Sequence, residues 1–404
     1  MMFLSIAIAV LLGCMMGVVT GITPGLHINL VAVILLSVSP FLLAYTNLMA
    51  VAAFILAMSI THTFTDFISA TYLGAPSDDT AMAMLPAHRM LLKGMAHEAI
   101  KLAVVGSLLC LIITILISPL LIFSVPVVFA FLKDYVGWIL VAILMFMVFR
   151  EKNKEKIPWN LLVVSLSGTL GIIALNMPGL EDPLLPMFSG LFGISVLLLS
   201  LNKKTSLPEQ RFTETIETDK KETAKAVASG IFSGSLVSIF PGLGPAQAAV
   251  LSSQITSKLK EYSYLVLVGG INTVSMIMSL ITFLTIEKAR NGSIAVVQQM
   301  VGSIDAKILL LFFSIALLAG GIATFLTMYT SRIFSILINK VNYNLLTGFI
   351  IVFVFSLVFY FSGFIGLSVL AVATLIGLIP NIKELNRSNL MACLLVPIIL
   401  MSLL

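Results

Sequence analysis

Residues 17–26 read Gly17-Val18-Val19-Thr20-Gly21-Ile22-Thr23-Pro24-Gly25-Leu26, and residues 234–243 read Gly234-Ser235-Leu236-Val237-Ser238-Ile239-Phe240-Pro241-Gly242-Leu243. Both end a small-residue-rich apolar run on Pro-Gly-Leu, and in both an apolar run then resumes. Proline removes a backbone donor and breaks a helix, and glycine takes dihedral angles closed to other residues. A helix broken inside a bilayer leaves unpaired backbone groups, which are tolerated only where they face protein or water. One such motif would read as an ordinary turn between spans. Two, at corresponding places in two halves, are the best sequence pointer to the substrate site of a carrier. A helix restarting after Pro-Gly aims its positive N-terminal end at what binds there, which favours an anion.

The landmarks continue in the same order on both sides. Ser59-Ile60-Thr61-His62-Thr63 stands where the other half has Gly270-Ile271-Asn272-Thr273. Arg89 to Gly94 and Val105-Gly106-Ser107 answer to Arg290 to Gly292 and Val301-Gly302-Ser303, with an extra stretch around Gly74–Pro86 in the first half. The pattern predicts two structural repeats, inverted rather than parallel by analogy with other carriers.

Composition agrees with a membrane setting. Of 404 residues 59% are hydrophobic and 10% charged, against roughly 25% charged in a soluble protein. A mean hydropathy of +1.12 requires an apolar outer surface, so the solvent is lipid. At about 20 residues per span the chain has room for about ten to twelve helices, some of them half-helices or re-entrant segments. The fold class expected is an all-α polytopic membrane protein. Its apolar runs are continuous rather than alternating, which argues against a β-barrel. The N-terminal run has no basic n-region and no A-x-A-like site, and reads as a retained helix. Cys14, Cys110 and Cys393 lie in apolar runs without metal-ligand spacing, so neither disulfides nor a metal site is expected. The net charge of +5 comes mostly from loops and carries no signature of nucleic-acid binding.

Two loops stand out. Arg150–Lys156 holds four basic residues in seven, and the polar segment 202–225 carries Lys203, Lys204, Arg211, Lys220, Lys221 and Lys225. The two apolar runs between them form a hairpin, which puts both loops on one side. Short Lys/Arg-rich loops stay in the cytoplasm, so that side is the cytoplasmic one and Met177–Glu181 lies outside. The organisation expected is a first repeat over 1–150, a hairpin and linker over 151–221, and a second repeat over 222–404.

Ser59 to Asp79 is polar where a span should be. His62, Asp66 and Ser69 share one helical face at i, i+4 and i+7. An ionised group at the bilayer centre costs about 2.5–3.5 kcal/mol on insertion scales, so such residues usually line a cavity or an ion path. A His–Asp pair could carry a proton, because histidine titrates near neutral pH; the two could equally satisfy each other in the core. Asp78 and Asp79 could hold a cation or cap the next helix. In the second half Gly270, Asn272 and Thr273 offer backbone, amide and hydroxyl ligands, with Gln247, Gln254 and Ser275 nearby. Arg290 could meet an anionic substrate or anchor a loop. Gly-x-Ser-x-Gly, His-Glu-x-x-His and Walker signatures are absent, so no enzymatic motor is legible.

At these residues the sequence resembles the large membrane subunit of the tripartite tricarboxylate transporters, the TctA family. Pro24-Gly25-Leu26 and Pro241-Gly242-Leu243-Gly244 match its Pro-Gly motif in each half, and Tyr72-Leu73-Gly74-Ala75-Pro76-Ser77 loosely matches its Tyr-x-Gly-Gly-Ser segment. Thr61-His62-Thr63-Phe64, Gly74-Ala75-Pro76, Leu85-Pro86-Ala87-His88-Arg89 and Gly269–Thr273 resemble the shorter archaeal TctA-like membrane proteins. Where the family has Leu-Asn-x-Pro-Gly this chain has Met84-Leu85-Pro86-Ala87, and its double-asparagine segment is replaced by Gly269–Thr273 with one asparagine. The resemblance implies an extracytoplasmic binding protein and a small membrane subunit as partners. A homodimer is also open.

The expectation is a secondary transporter of the cell membrane, coupled to Na⁺ or H⁺ and carrying a small organic anion, a carboxylate first of all. Its substrate residues would be Thr23, Pro24, Gly25, Leu26, Pro241, Gly242, Leu243, Gly244, Gly270, Asn272 and Thr273. Its coupling residues would be Thr61, His62, Asp66, Asp78 and Asp79, with no resident cofactor. The alternatives are a carrier or flippase of a lipid-linked anion such as a polyprenyl phosphate, favoured by Arg89, Lys93 and Lys101 at headgroup level, and a membrane-embedded enzyme acting on lipid through His62, Asp66 or His88.

Overall fold

The computed structural model describes residues 2–403 apart from 24–27, 75–79, 81, 133, 150, 152, 181–182, 202–207, 213–218, 240–243, 246–247, 250–251, 253–258 and 339–342. The Pro24–Leu26 and Pro241–Leu243 motifs and the Asp78–Asp79 pair therefore lie outside the described residues.

The described chain is helical. The first half runs α1 (Met2–Ile22), α2 (Ile28–Ser37), α3 (Ser39–Leu42), α4 (Leu48–Ile68), α5 (Met84–Leu91), α6 (Ala96–Leu116), α7 (Ser118–Leu132) and α8 (Val136–Phe149). Then come α9 (Ile157–Leu175), α10 (Leu184–Phe188) and α11 (Ser195–Leu201), followed by α12 (Lys220–Ile239), α13 (Glu261–Ile286), α14 (Gly292–Val301), α15 (Ala306–Ile338), α16 (Tyr343–Ile382) and α17 (Ala392–Leu403). Helix α4 does not stop at Ile68 but continues through a π turn, Ser69–Leu73, until Gly74 takes a left-handed φ of 62°. At its other end Asn47 caps it, Oδ1 accepting from the Ala50 amide at 2.9 Å.

Among the described residues seven helices are long and apolar enough to cross a membrane. Shorter apolar helices and the bent pair formed by α7 and α8, which meet at 84°, account for much of the difference from the ten to twelve expected. Helix α16 accounts for more. Its 40 residues would span about 60 Å, twice the hydrocarbon core. Gly363, at φ 59° and ψ −156°, breaks it into two pieces. The outer surface is apolar, as the composition requires: Phe123, Val127 and Phe131 of α7 are 79%, 69% and 71% exposed. In water such a stripe would associate; in lipid it is the solvated face.

The interior is built on two helix pairs. Helix α1 packs along α4 in the same direction. Gly13 approaches Phe54 and Ala57, Gly17 approaches Met58 and Thr61, and Gly21 approaches Thr65, while Asn47 Nδ2 donates to Ser5 Oγ at 2.8 Å. Helix α12 packs along α13 in the same manner, Gly230 against Leu267 and Gly234 against Ile271 and Val274. Glycines one turn apart let helix backbones close to van der Waals contact in a bilayer, where packing rather than hydrophobic exclusion drives association. The central window of α13 is entirely buried and that of α4 is 83% buried, so the partly polar helices take the inside.

The described parts of both basic loops meet one end of the molecule. Lys156 Nζ donates to the Glu384 carbonyl at 2.8 Å, and the Arg211 amide donates to the Gly94 carbonyl at 2.8 Å. The Gln210 side chain accepts from the Ala96 amide and donates to the Leu91 carbonyl, both at 3.1 Å.

Candidate functional site

Helices α4 and α13 cross in opposite directions at the centre of the bundle, and their polar residues meet there. Thr63 Oγ1 lies 3.2 Å from Thr273 Oγ1. Thr63 gives its hydroxyl hydrogen to the Ile60 carbonyl at 2.8 Å, so Thr273 is the donor across the crossing. Three residues further along α4, Asp66 Oδ2 accepts from Asn272 Nδ2 at 3.4 Å. Asp66 is 2% exposed, Asn272 1% and Thr273 0%.

The other side of α4 leans on α1. His62 Nδ1 is 3.0 Å from Thr20 Oγ1, and Thr20 gives its own hydrogen to the Gly17 carbonyl at 3.1 Å. The imidazole and the Thr20 hydroxyl thus share one hydrogen bond between α4 and α1. Thr65 Oγ1 donates to the Gly17 and Thr61 carbonyls, each at 3.1 Å, and Ser69 Oγ donates to the Asp66 carbonyl at 2.9 Å. One turn of α4 thus joins α1, through His62, to α13, through Thr63 and Asp66. The adjoining π turn, Ser69–Leu73, is of a kind frequent at functional sites.

Of the residues expected at the site, Asp66, Asn272 and Thr273 meet at this crossing, while the buried Thr61 and His62, on the same stretch of α4, face α1. Thr23 sits at the end of α1 and donates to the Val19 carbonyl at 2.8 Å. Gly244 stands half-buried before Pro245. Gly270 has a packing reason to be glycine: a Cβ there would lie 2.3 Å from Cys110 Sγ on α6.

Sequence reading missed a second polar layer. Tyr72 Oη donates to the Ser331 carbonyl at 3.0 Å and meets the hydroxyls of Ser331 and Ser335 on α15. His97 Nδ1 lies 3.0 Å from Ser331 Oγ. Serines at Ser331 and Ser335 share one face of α15 by their spacing, which was the only signal available. Also missed was Arg387, just outside α17. It is 9% exposed, and its Nη2 donates to the Phe192 carbonyl at 2.9 Å. Burial, and secondly the nearby Arg89, pull its pKa down to about 10. His88 on α5 is pushed down to about 4 by burial, with Arg387 adding to the shift, so it is neutral at physiological pH.

The Thr63–Thr273 contact has a measurable expectation. A double-mutant cycle of Thr63→Val and Thr273→Val, read by denaturant unfolding in detergent, should give a coupling of about 0.6 kcal/mol. A coupling of zero would mean the two hydroxyls do not bond.

A multi-pass helical bundle with an apolar exterior and polar groups sequestered at the crossing of two interior helices is the architecture of an integral membrane protein. The chain matches the model of the "Tripartite tricarboxylate transporter TctA family" over residues 7–392, and it belongs to that family. A curated relative is the "Uncharacterized protein MJ1079" of Methanocaldococcus jannaschii, 31% identical over 401 residues that cover 96% of this chain and 97% of that one. No solved structure matches. The family is one of membrane permeases and not of enzymes, which removes the lipid-acting enzyme from the alternatives. Its members are normally part of tripartite assemblies with a binding protein and a small membrane subunit.

Proposed function

We propose that this permease carries a small organic anion, a carboxylate, across the cell membrane by ion-coupled alternating access. The observation that carries the reading is the α4–α13 crossing. It sets a carboxyl, an amide and two hydroxyls together in the buried interior of the bundle. Polar groups at membrane depth are expensive, and they persist where a substrate or ion uses them. The pairs α1–α4 and α12–α13 run in opposite senses, each with a glycine-lined first helix that leads into a Pro-Gly-Leu. That arrangement supports two inverted repeats over 1–150 and 222–404, rocking about the crossing.

In this reading the α4 residues Thr61, His62 and Asp66 serve the coupling ion, Na⁺ or H⁺. Asn272 and Thr273, with the restarting helices after Pro24 and Pro241, hold the anion. The end of the molecule bearing 153–156 and 208–212 faces the cytoplasm, by their excess of lysine and arginine. A binding protein and a small membrane subunit deliver substrate from the other face. A lipid-linked phosphate is the second reading, favoured by the exposed Arg89 and Lys93 at the end of α5.

The test is uptake of labelled citrate and a dicarboxylate panel into proteoliposomes, under Na⁺ and H⁺ gradients imposed separately. Accumulation above equilibrium under one gradient is the expected result. Absence of uptake under either gradient, with binding protein and small subunit supplied, would overturn the carboxylate reading.

A further inference from the structure

A cavity of about 780 Å³ opens between α5, the first turn of α13 and the segment 380–388. It lies away from the α4–α13 crossing, at the end of the molecule where Lys156 and Gln210 dock. Arg89, Arg387 and Ser388 are in its wall. Its size falls within the usual range of small-molecule sites, about 300–1,000 Å³.

Its polar wall is incompletely satisfied. Arg387 is held over the Phe192 ring, guanidinium carbon to centroid 5.6 Å, and Nη2 is spent on the Phe192 carbonyl. Among the described residues its Nε is buried with no hydrogen-bond partner, as is Ser388 Oγ. A buried donor left unmade costs free energy, more so on a charged group. Arg89 is exposed and faces the same space, and the two guanidiniums repel each other enough to help lower the Arg387 pKa. Two carboxylates also line the cavity. Glu261 is partly answered by Lys93, whose Nζ is 3.8 Å from Oε2. Glu384 takes a positive φ of 51° at the exposed edge. Neither forms an ion pair with Arg387 or Arg89 among the described residues. His88, near Arg387, is held neutral by burial and adds no further positive charge.

A guanidinium fork, a second arginine and a serine among the residues of one cavity wall are a donor set for carboxylate or phosphate oxygens. We propose that this cavity is a second anion site, separate from the α4–α13 crossing, in which Arg387 and Arg89 bind a carboxylate or phosphate group. The anion relieves the repulsion between the two arginines, both of which line the cavity. The site stands whether or not the crossing transports anything.

The experiment is equilibrium binding of labelled citrate and inorganic phosphate to the purified full-length chain in phosphatidylcholine nanodiscs, repeated with phosphatidylglycerol added. Arg89→Gln and Arg387→Lys should each weaken binding at least tenfold, while Lys307→Gln, an exposed charge loss at the start of α15, should not. Arg89 is exposed, so its variant keeps the fold, and a monodisperse chromatographic profile checks both. Arginine-dependent binding in phosphatidylcholine identifies a free anion as the occupant. Arginine-dependent competition by phosphatidylglycerol identifies a headgroup instead. Binding of neither probe, or binding indifferent to both substitutions, would overturn the proposal.

Discussion

Replacing Asp66 with asparagine is expected to abolish gradient-driven uptake and leave a folded protein. The substitution keeps the side-chain volume and an oxygen that can still accept from Asn272 Nδ2, the contact now at 3.4 Å. It removes only the capacity to hold a charge or a proton. A carboxylate 2% exposed in the most polar turn of a buried span needs a counter-ion or a proton to be there. In the ion-coupled reading proposed above, a cation or proton would supply that need in one state and be withdrawn in the next. If the interaction is worth the roughly 2.5–3.5 kcal/mol that insertion scales assign to an ionised group at mid-membrane, its loss lowers coupled uptake about a hundredfold. Exchange of substrate down its own gradient should survive better than accumulation. Uptake in proteoliposomes under each gradient measures this, and full gradient-driven accumulation by Asp66→Asn would remove Asp66 from the ion path. The neighbouring His62, hydrogen-bonded through Nδ1 to Thr20 Oγ1, makes a useful comparison, since its loss should disturb α1 packing as well as any proton route.

The sequence carried a great deal of this arrangement. Continuous apolar runs with few charges leave helices in lipid as the only economical answer, because every backbone group must be satisfied within its segment. The polar run from Ser59 to Ser69 inside such a stretch marked α4 as the interior helix, and Asn272-Thr273 marked its partner. Periodicity places residues on faces, but it does not say which neighbour a face meets. His62 and Asp66 share a face by spacing, yet the structure ties one to α1 and the other to α13. Gly270 read as a backbone ligand, although close approach to Cys110 is reason enough for a glycine there. Arg387 was invisible for a different reason. Between two apolar runs an arginine near Lys383 and Glu384 looks like an ordinary polar turn, and only the fold buries it against Phe192. The Tyr72 layer was missed likewise, since hydroxyls within an apolar helix satisfy their own backbone and leave no compositional trace.

The second large effect concerns the scaffold that holds α13 in place. Helix α6 passes so close to α13 that a Cβ on Gly106 would stand 2.0 Å from the Val266 carbonyl oxygen, and one on Gly269 would stand 2.2 Å from the Ala103 carbonyl oxygen. Between them Ser107 Oγ donates to the Gly269 carbonyl at 2.9 Å. These obstacles are backbone atoms, which cannot rotate aside as a side chain would. Relief requires the helices to separate, and separation breaks the Ser107 bond and moves Asn272 and Thr273 away from α4. Gly106→Leu is therefore expected to cost about 3 kcal/mol or more, the upper end of overpacking penalties. That is enough to deplete folded protein in a marginally stable fold. Gly321→Leu on α15, where a new Cβ meets nothing within 4 Å, should express and fold as the parent does. Fluorescence-detected size exclusion of both variants reads the difference directly. Equal yields would mean that α6 and α13 are not in backbone contact, and the α4–α13 crossing would then lose the support that positions it.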